Sequence, residues 1–365
     1  MKSFVGYLKD YFLGTSRKSL FFTVLFVAGL IAGNYTFGIE RRIREIHPWP
    51  LSLLSFFFFY GFVVFFAWGI QYSCGGRPML MKGGGGREAA LPGSGAAEGV
   101  AGRLVPERIA DYKRFLLFLL LAPLYFSFKM IHWDFSLFIP AGWAAPWGRY
   151  AQIVLQLPAK LLLLWLMLWM CRKAEGGWVV MPGASGAGAG RTGELGGAGA
   201  AGFGGSGGWY GLTIRNFRPG PYGMILLMMV PLVALASTRP DFLHTYPKVK
   251  NIAFLSGYAH PVWPWKALYE LSYGLDFLSI ELFFRGFLVI GLARYAGQYA
   301  ILPMAAFYCT IHFGKPLGEC ISSLFGGLAL GVIAWRTRSI VGGLMVHLGL
   351  AWMMELGGWL GSMFI

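Results

Sequence analysis

The chain is short of charge, shorter still of acid, and nearly without cysteine. Asp, Glu, Lys and Arg make up 13% of its 365 residues, while apolar residues reach 56% and aromatic residues 17%. So few charges cannot coat a water-soluble domain of this length, where about a quarter of residues are normally charged, so the soluble globular class is excluded. The 16 acidic residues face 31 basic ones, for a net charge of +15. A basic stripe interleaved with aromatic platforms, the footprint of a nucleic-acid surface, is also lacking. Lys and Arg instead gather at the ends of apolar runs, as Arg41, Arg42 and Arg44 or Arg336 and Arg338 do. There they set topology and meet anionic headgroups, so membrane lipid is the expected partner and nucleic acid is not. The four cysteines, Cys74, Cys171, Cys309 and Cys320, have no C-x-x-C spacing, which argues against a disulfide framework or a zinc–cysteine site. The first apolar run follows Lys2, Lys9, Arg17 and Lys18 with no A-x-A site after it, and it is expected to be a retained signal anchor.

What is present is a series of long apolar runs. A helix needs about 20 apolar residues to cross a bilayer. Segments that reach or approach this length begin near Ser19, Pro50, Arg114, Arg149 and Pro221, and continue over 264–295, 301–312, 318–335 and 340–365. The expected fold is an all-α, polytopic transmembrane bundle of about eight to nine spanning helices. Residues 52–68 and 161–170 are almost pure hydrocarbon and read as lipid-facing scaffold. Two Gly/Ala-rich stretches, about 75–112 and 172–219, lack apolar periodicity and read as extramembrane loops. The natural division is an N-terminal transmembrane scaffold, 1–245, and a core, 246–365. Lys/Arg asymmetry places the N-terminus and both Gly-rich loops inside and the C-terminus outside, as in a multi-pass protein of a prokaryotic cell membrane.

Ionisable residues concentrate in the last third, where each is costly in hydrocarbon and therefore expected to face a bundle interior or a polar cavity. Glu281 and Arg285, four residues apart, share one helix face, either as a structural ion pair or as a carboxylate held for acid–base work. Glu270 lies close to three turns before Glu281, so both carboxylates can project into one cavity, although an interfacial place near the helix start fits it as well. His312 ends an apolar run beside Lys315, Pro316 and Glu319, and Pro316 breaks the helix to leave backbone groups that favour a polar pocket. His347 and Glu355 lie about two turns apart near one face of the last segment. The other histidines, His47, His132, His244 and His260, fall at segment ends or in loops. No cofactor is expected. No H-E-x-x-H helix is present and zinc is not predicted, but two histidines and a glutamate leave a divalent metal open.

In order, the Glu281-x-x-x-Arg285-Gly286 helix, the Tyr308-x-x-x-His312 segment and His347 in the last apolar helix resemble the CPBP family, over roughly residues 265–355. That family contains the type II CAAX prenyl endopeptidases and bacteriocin-processing proteases. The resemblance implies an intramembrane endopeptidase of the glutamic type, in which a glutamate and the second-motif histidine activate water, and the third-motif histidine and asparagine stabilise the oxyanion. Its substrate would be a membrane-associated protein or peptide, prenylated ones included. Carried over are Glu281, Arg285, His312 and His347, with Glu270, Lys315, Glu319 and Glu355 as accessory candidates. The family's first glutamate falls on Ile280, its asparagine on Ala351 and its phenylalanine on Tyr308. Two outcomes follow. Either Glu281 or another of these carboxylates serves as base, or the fold persists without hydrolysis and binds a peptide, lipid or protein partner. A transporter is the third alternative, but no repeated halves with interrupted helices are visible. Nothing in the sequence sets the oligomeric state.

Overall fold

The computed structural model describes residues 4–75, 97–134, 145–174, 208–215 and 217–364. The chain opens with α1 (Phe4–Gly14) and α2 (Arg17–Phe37). Ser16 caps α2 by accepting from the Ser19 amide, and Gly38 ends it in the left-handed conformation, at φ +62°, that glycine adopts without strain. The basic α3 (Ile39–Arg44), α4 (Trp49–Gly75), α5 (Ala97–Met130), α6 (Trp147–Ala174), α7 (Pro219–Ala236) and α8 (Pro240–Thr245) follow. A 3₁₀ segment, Lys248–Gly257, leads into α9 (Trp263–Glu281), which continues directly as a π-helix, Leu282–Gly291. The short α10 (Ala293–Ala296) and α11 (Ile301–Thr310) precede α12 (Leu317–Thr337) and α13 (Val341–Gly361). No strand occurs among the described residues.

This is a polytopic helical bundle in an integral membrane protein. Among the described residues five helices, α2, α4, α6, α7 and α12, are each long and apolar enough to cross a bilayer. The segment at 301–312, expected to approach a full span, is ten residues of helix, which rise about 15 Å and cover only half of a hydrocarbon core. Gly314, at φ +79°, and Pro316 stop it and turn the chain into α12. The first Gly-rich stretch is shorter than expected, because α5 begins at Ala97. Ala, Glu and Arg are frequent from Ala97 onward and favour helix, which outweighs the local glycines. Residues 76–96 and 175–207, the bulk of both loops, lie outside the described residues.

α4 was expected to be lipid-facing scaffold, but only one side of it is. Phe56, Tyr60, Val63, Val64 and Ala67 recur at helical spacing and are buried, whereas Phe58, Phe62, Phe65 and Phe66 are exposed. In a helix apolar all round, only the packing partner selects the inward face. Here the partners are α5, α2 and α11. Phe126 of α5 packs its ring on the π-helix that holds Arg285, and Tyr60 packs on Phe126 and on α11. Phe126 lies 5.4 Å from Phe283 and 5.5 Å from Phe284, and Tyr60 and Phe126 lie 5.3 and 5.4 Å from Phe307. These tilted and edge-on contacts fix the π-helix against α11. The π-helix has a tight neighbour as well: a Cβ at Gly286 would stand 2.8 Å from the Tyr210 carbonyl oxygen, so only glycine lets the 209–211 turn pack there.

Candidate functional site

Three separated stretches meet where α9 passes into the π-helix. Glu281 is the last residue of α9 and Arg285 lies one turn later; both are fully buried. Arg285 Nη1 stands 3.0 Å from Glu281 Oε1, and His347 Nδ1, from α13, stands 2.7 Å from the same oxygen. Neither approach meets the angle of a hydrogen bond, so charge rather than directional bonding holds the three together. The fit depends on Gly343, one turn before His347. A Cβ there would lie 2.4 Å from Glu281 Oε2, which nothing but glycine relieves without moving the carboxylate.

α11 supplies the remaining groups. Tyr308 Oη lies 2.6 Å from His347 Nε2, so both imidazole nitrogens of His347 face a partner. The Arg285 guanidinium sits 4.2 Å above the Tyr308 ring, a cation–π contact worth about 2 kcal/mol when shielded from water. His312, in the turn after α11, is buried, and its Nδ1 is 3.1 Å from the Tyr308 carbonyl oxygen. A carbonyl only accepts, so Nδ1 carries the proton and Nε2 of the neutral ring keeps its lone pair. The Tyr308 and His312 rings are 4.8 Å apart. The outcome is a chain of carboxylate, imidazole and phenol, with a guanidinium on one side and a second imidazole on the other. A carboxylate that orients an imidazole against a hydroxyl is the layout by which a weakly acidic O–H is made to give up its proton.

Of the eight residues singled out above, Glu281, Arg285, His312 and His347 come together here. The four accessory candidates do other things. Glu355 accepts the backbone N–H groups of Lys248 and Val249, at 2.6 and 3.1 Å, and so caps the 3₁₀ segment. Glu270 does not share a cavity with Glu281: the charges acting on Glu281 are Arg285 and His347, and the carboxylate beside Glu270 is Glu355. Lys315 and Glu319 pair at 2.7 Å in the turn that ends α11, and the Tyr246 hydroxyl donates to both Glu319 oxygens at 3.3 and 3.2 Å. Burial alone would depress the Lys315 ammonium, but the Glu319 carboxylate outweighs it and holds the amine above its usual range. Burial and then the same carboxylate push the Tyr246 phenol up. Ile280 and Ala351, at the positions of the family's first glutamate and asparagine, are both buried and supply no polar atom.

Tyr308 is the member that sequence reasoning passed over, noting it only as a replacement for phenylalanine. Its signal was a hydroxyl-bearing ring one turn before His312. Among the described residues no three His, Cys, Asp or Glu side chains are grouped to hold a metal ion.

Residues 265–353 match the family model of the Type II CAAX prenyl endopeptidase Rce1-like proteins. The matched stretch holds all five side chains of the cluster. The stretch that is similar to this protease family lies at the C-terminal end of a membrane bundle. No curated protein and no solved structure matches the chain.

Proposed function

We propose that this chain is an intramembrane endopeptidase that hydrolyses a peptide bond of a membrane-associated protein or peptide, prenylated ones included, in a prokaryotic cell membrane. The observation that carries this reading is the convergence of Glu281, Arg285, Tyr308, His312 and His347 from three separated stretches onto one buried cluster. Charged and imidazole groups among lipid tails are costly, and a cluster that gathers them inside an Rce1-like domain fits the needs of peptide hydrolysis.

His312 Nε2 accepts the proton of the attacking water. The new C–O bond forms as the peptide carbonyl becomes tetrahedral. The Glu281–His347–Tyr308 chain stands in for the carboxylate missing at Ile280. The Tyr308 hydroxyl donates toward the developing oxyanion and takes a proton back from His347 Nε2; the Glu281 charge stabilises the imidazolium from which it comes, and collapse of the tetrahedral centre returns both protons to their starting atoms. Collapse of the tetrahedral centre breaks the C–N bond, and the proton on His312 passes to the leaving amine. Arg285 offsets the charge of Glu281 and sets the ring plane of Tyr308. Farnesylated and unmodified peptides of one sequence, incubated with the purified protein and analysed by mass spectrometry, test this. Cleavage by the wild type that is lost in His312→Ala and in Glu281→Gln is expected; cleavage indifferent to both substitutions overturns it.

Ile280 and Ala351 favour a second reading, in which the domain binds such a peptide without cutting it. Peptide retained intact by the wild type, with hydrolysis gained in Ile280→Glu, supports this second reading and ends the first.

A further inference from the structure

Glu40, in the N-terminal membrane segment, is a buried carboxylate outside the peptidase cluster. Its place is built locally. Gly38 ends α2 in the left-handed conformation, and the buried Asn34 side chain accepts the Glu40 amide at 2.8 Å. Arg44, one turn further along α3, donates from Nε to Glu40 Oε1 at 2.9 Å and from Nη1 to the Met130 carbonyl at 3.2 Å. The second carboxylate oxygen is turned toward the end of α11. A Cβ on Gly314 would stand 3.1 Å from Glu40 Oε2, so the carboxylate lies against the Gly314 backbone.

Gly314 belongs to the turn that carries His312. Inside the turn the bonds are local: the Phe313 amide donates to the Thr310 carbonyl and the Lys315 amide to the His312 carbonyl, both at 3.2 Å. Such bonds give the turn its shape but not its place in the bundle. Contacts from outside supply the place. The Tyr35 hydroxyl, from the last turn of α2, donates to the Lys315 carbonyl. That carbonyl lies before Pro316, whose own carbonyl caps α12, and in hydrocarbon it would be costly to leave bare. Phe59 of α4 sets its ring 6.2 Å from that of Phe313.

The same elbow is tied to the carboxylate half of the cluster. Met130 follows Lys129, whose ammonium pairs with Asp276 and donates to the Ser279 hydroxyl at 2.6 Å, two residues before Glu281. Polar contacts therefore run from Gly314 through Glu40 and Arg44 to the end of α5, and from there to α9. His312 and Glu281 come from different helices, and this path fixes one relative to the other without passing through the reacting atoms.

We propose that Tyr35 and Glu40 are positioning residues of the peptidase: they hold the Gly314–Lys315 turn, so that His312 Nδ1 stays on the Tyr308 carbonyl and Nε2 is presented to water. The inference rests on the reading of His312 as the acceptor of the water proton. Both residues lie outside the family-matched stretch, 265–353, so the N-terminal membrane segment is part of the enzyme and not a lipid-facing frame alone. A turn released at Gly314 swings its imidazole off the Tyr308 carbonyl, and a displacement of about 1 Å costs about 10²-fold in rate.

The test uses the full chain in detergent with ¹⁵N-labelled histidine, and compares the wild type with Tyr35→Phe, Glu40→Ala and the double variant. In the wild type one imidazole signal, absent in His312→Gln, is expected at the position of the Nδ1–H tautomer. In the double variant it should move toward a mixture of tautomers. For peptide cleavage, kcat should fall about tenfold in each single variant and about a hundredfold in the double one, with KM within about twofold. Glu40→Gln, which keeps the shape and an acceptor for Arg44, should stay within about threefold of the wild type. A signal unchanged in the double variant overturns the proposal whatever the cleavage assay shows. So does an unchanged kcat with only the melting temperature lowered, the mark of a merely structural contact. Tyr35→Phe, which removes a single oxygen, carries the same two readouts where the double variant does not fold. A wild type that cuts no peptide, with the signal still shifted in the variants, ends the peptidase reading and leaves the hold on His312 standing.

Discussion

The two buried charged groups lie on one helix, α9, barely a turn apart, and they answer the same problem differently. Around Glu281 the charges are matched inside the protein. One carboxylate faces a guanidinium and an imidazole, and the imidazole faces a phenol, all drawn from a domain of fewer than a hundred residues. Around Asp276 the partner, Lys129, comes from α5, far earlier in the chain. A cluster that closes on itself can hold a fixed geometry for proton transfer. Burial alone therefore does not mark a catalytic group; the balance of charges decides which role burial serves.

This contrast breaks most visibly at His312. Its replacement by alanine should lower peptide cleavage by a factor of about 10² to 10⁴, the usual worth of a positioned base. An Arg285→Met change should cost about 3–5 kcal/mol in thermal melting, because Glu281 is left buried beside an imidazole alone. The double variant Glu281→Gln/Arg285→Met should recover a good part of that loss, and no recovery would mean that Arg285 acts through packing on Tyr308 instead. Tyr308→Phe sharpens the picture further. It restores the ring of the resembling family but removes the hydroxyl beside His347, so the rate of cleavage should fall about ten- to a hundredfold with stability changed by about 1 kcal/mol. Unchanged turnover would reduce the phenol to a spectator. The smallest effect belongs to Glu355→Gln, which loosens the cap on the Lys248–Gly257 segment by about 0.5–2 kcal/mol and should appear as faster amide exchange there with the cleavage rate unaltered.

Much of the last third was legible before any coordinates. Glu281 and Arg285 stand one turn apart in an apolar helix, and the i, i+4 rule makes them neighbours wherever that helix lies. Pro316 announces the end of α11, and His312 before it is left in a turn. The accessory carboxylates were not legible, because a glutamate in an apolar segment looks the same whether it meets water, a cation or the start of another helix. Glu355 goes to backbone amides more than a hundred residues away, and nothing near it in sequence points there. Glu270 shares a face of α9 with Glu281, but eleven residues of helix rise about 16 Å, so it meets α13 at the level of Glu355 and not at that of His347.

By itself, the order of residues determined that this chain lives in a membrane and is helical, since hydrocarbon leaves no other way to satisfy backbone amides in runs so apolar. It also determined which third of the chain carries the Rce1-like motifs. Only the tertiary structure decided that Tyr308 completes the chain from Glu281 through His347, and that Lys129 of the N-terminal scaffold pairs with Asp276. Those relations are made by helices from distant parts of the sequence, and side-chain contacts between such helices depend on packing angles that no local pattern encodes.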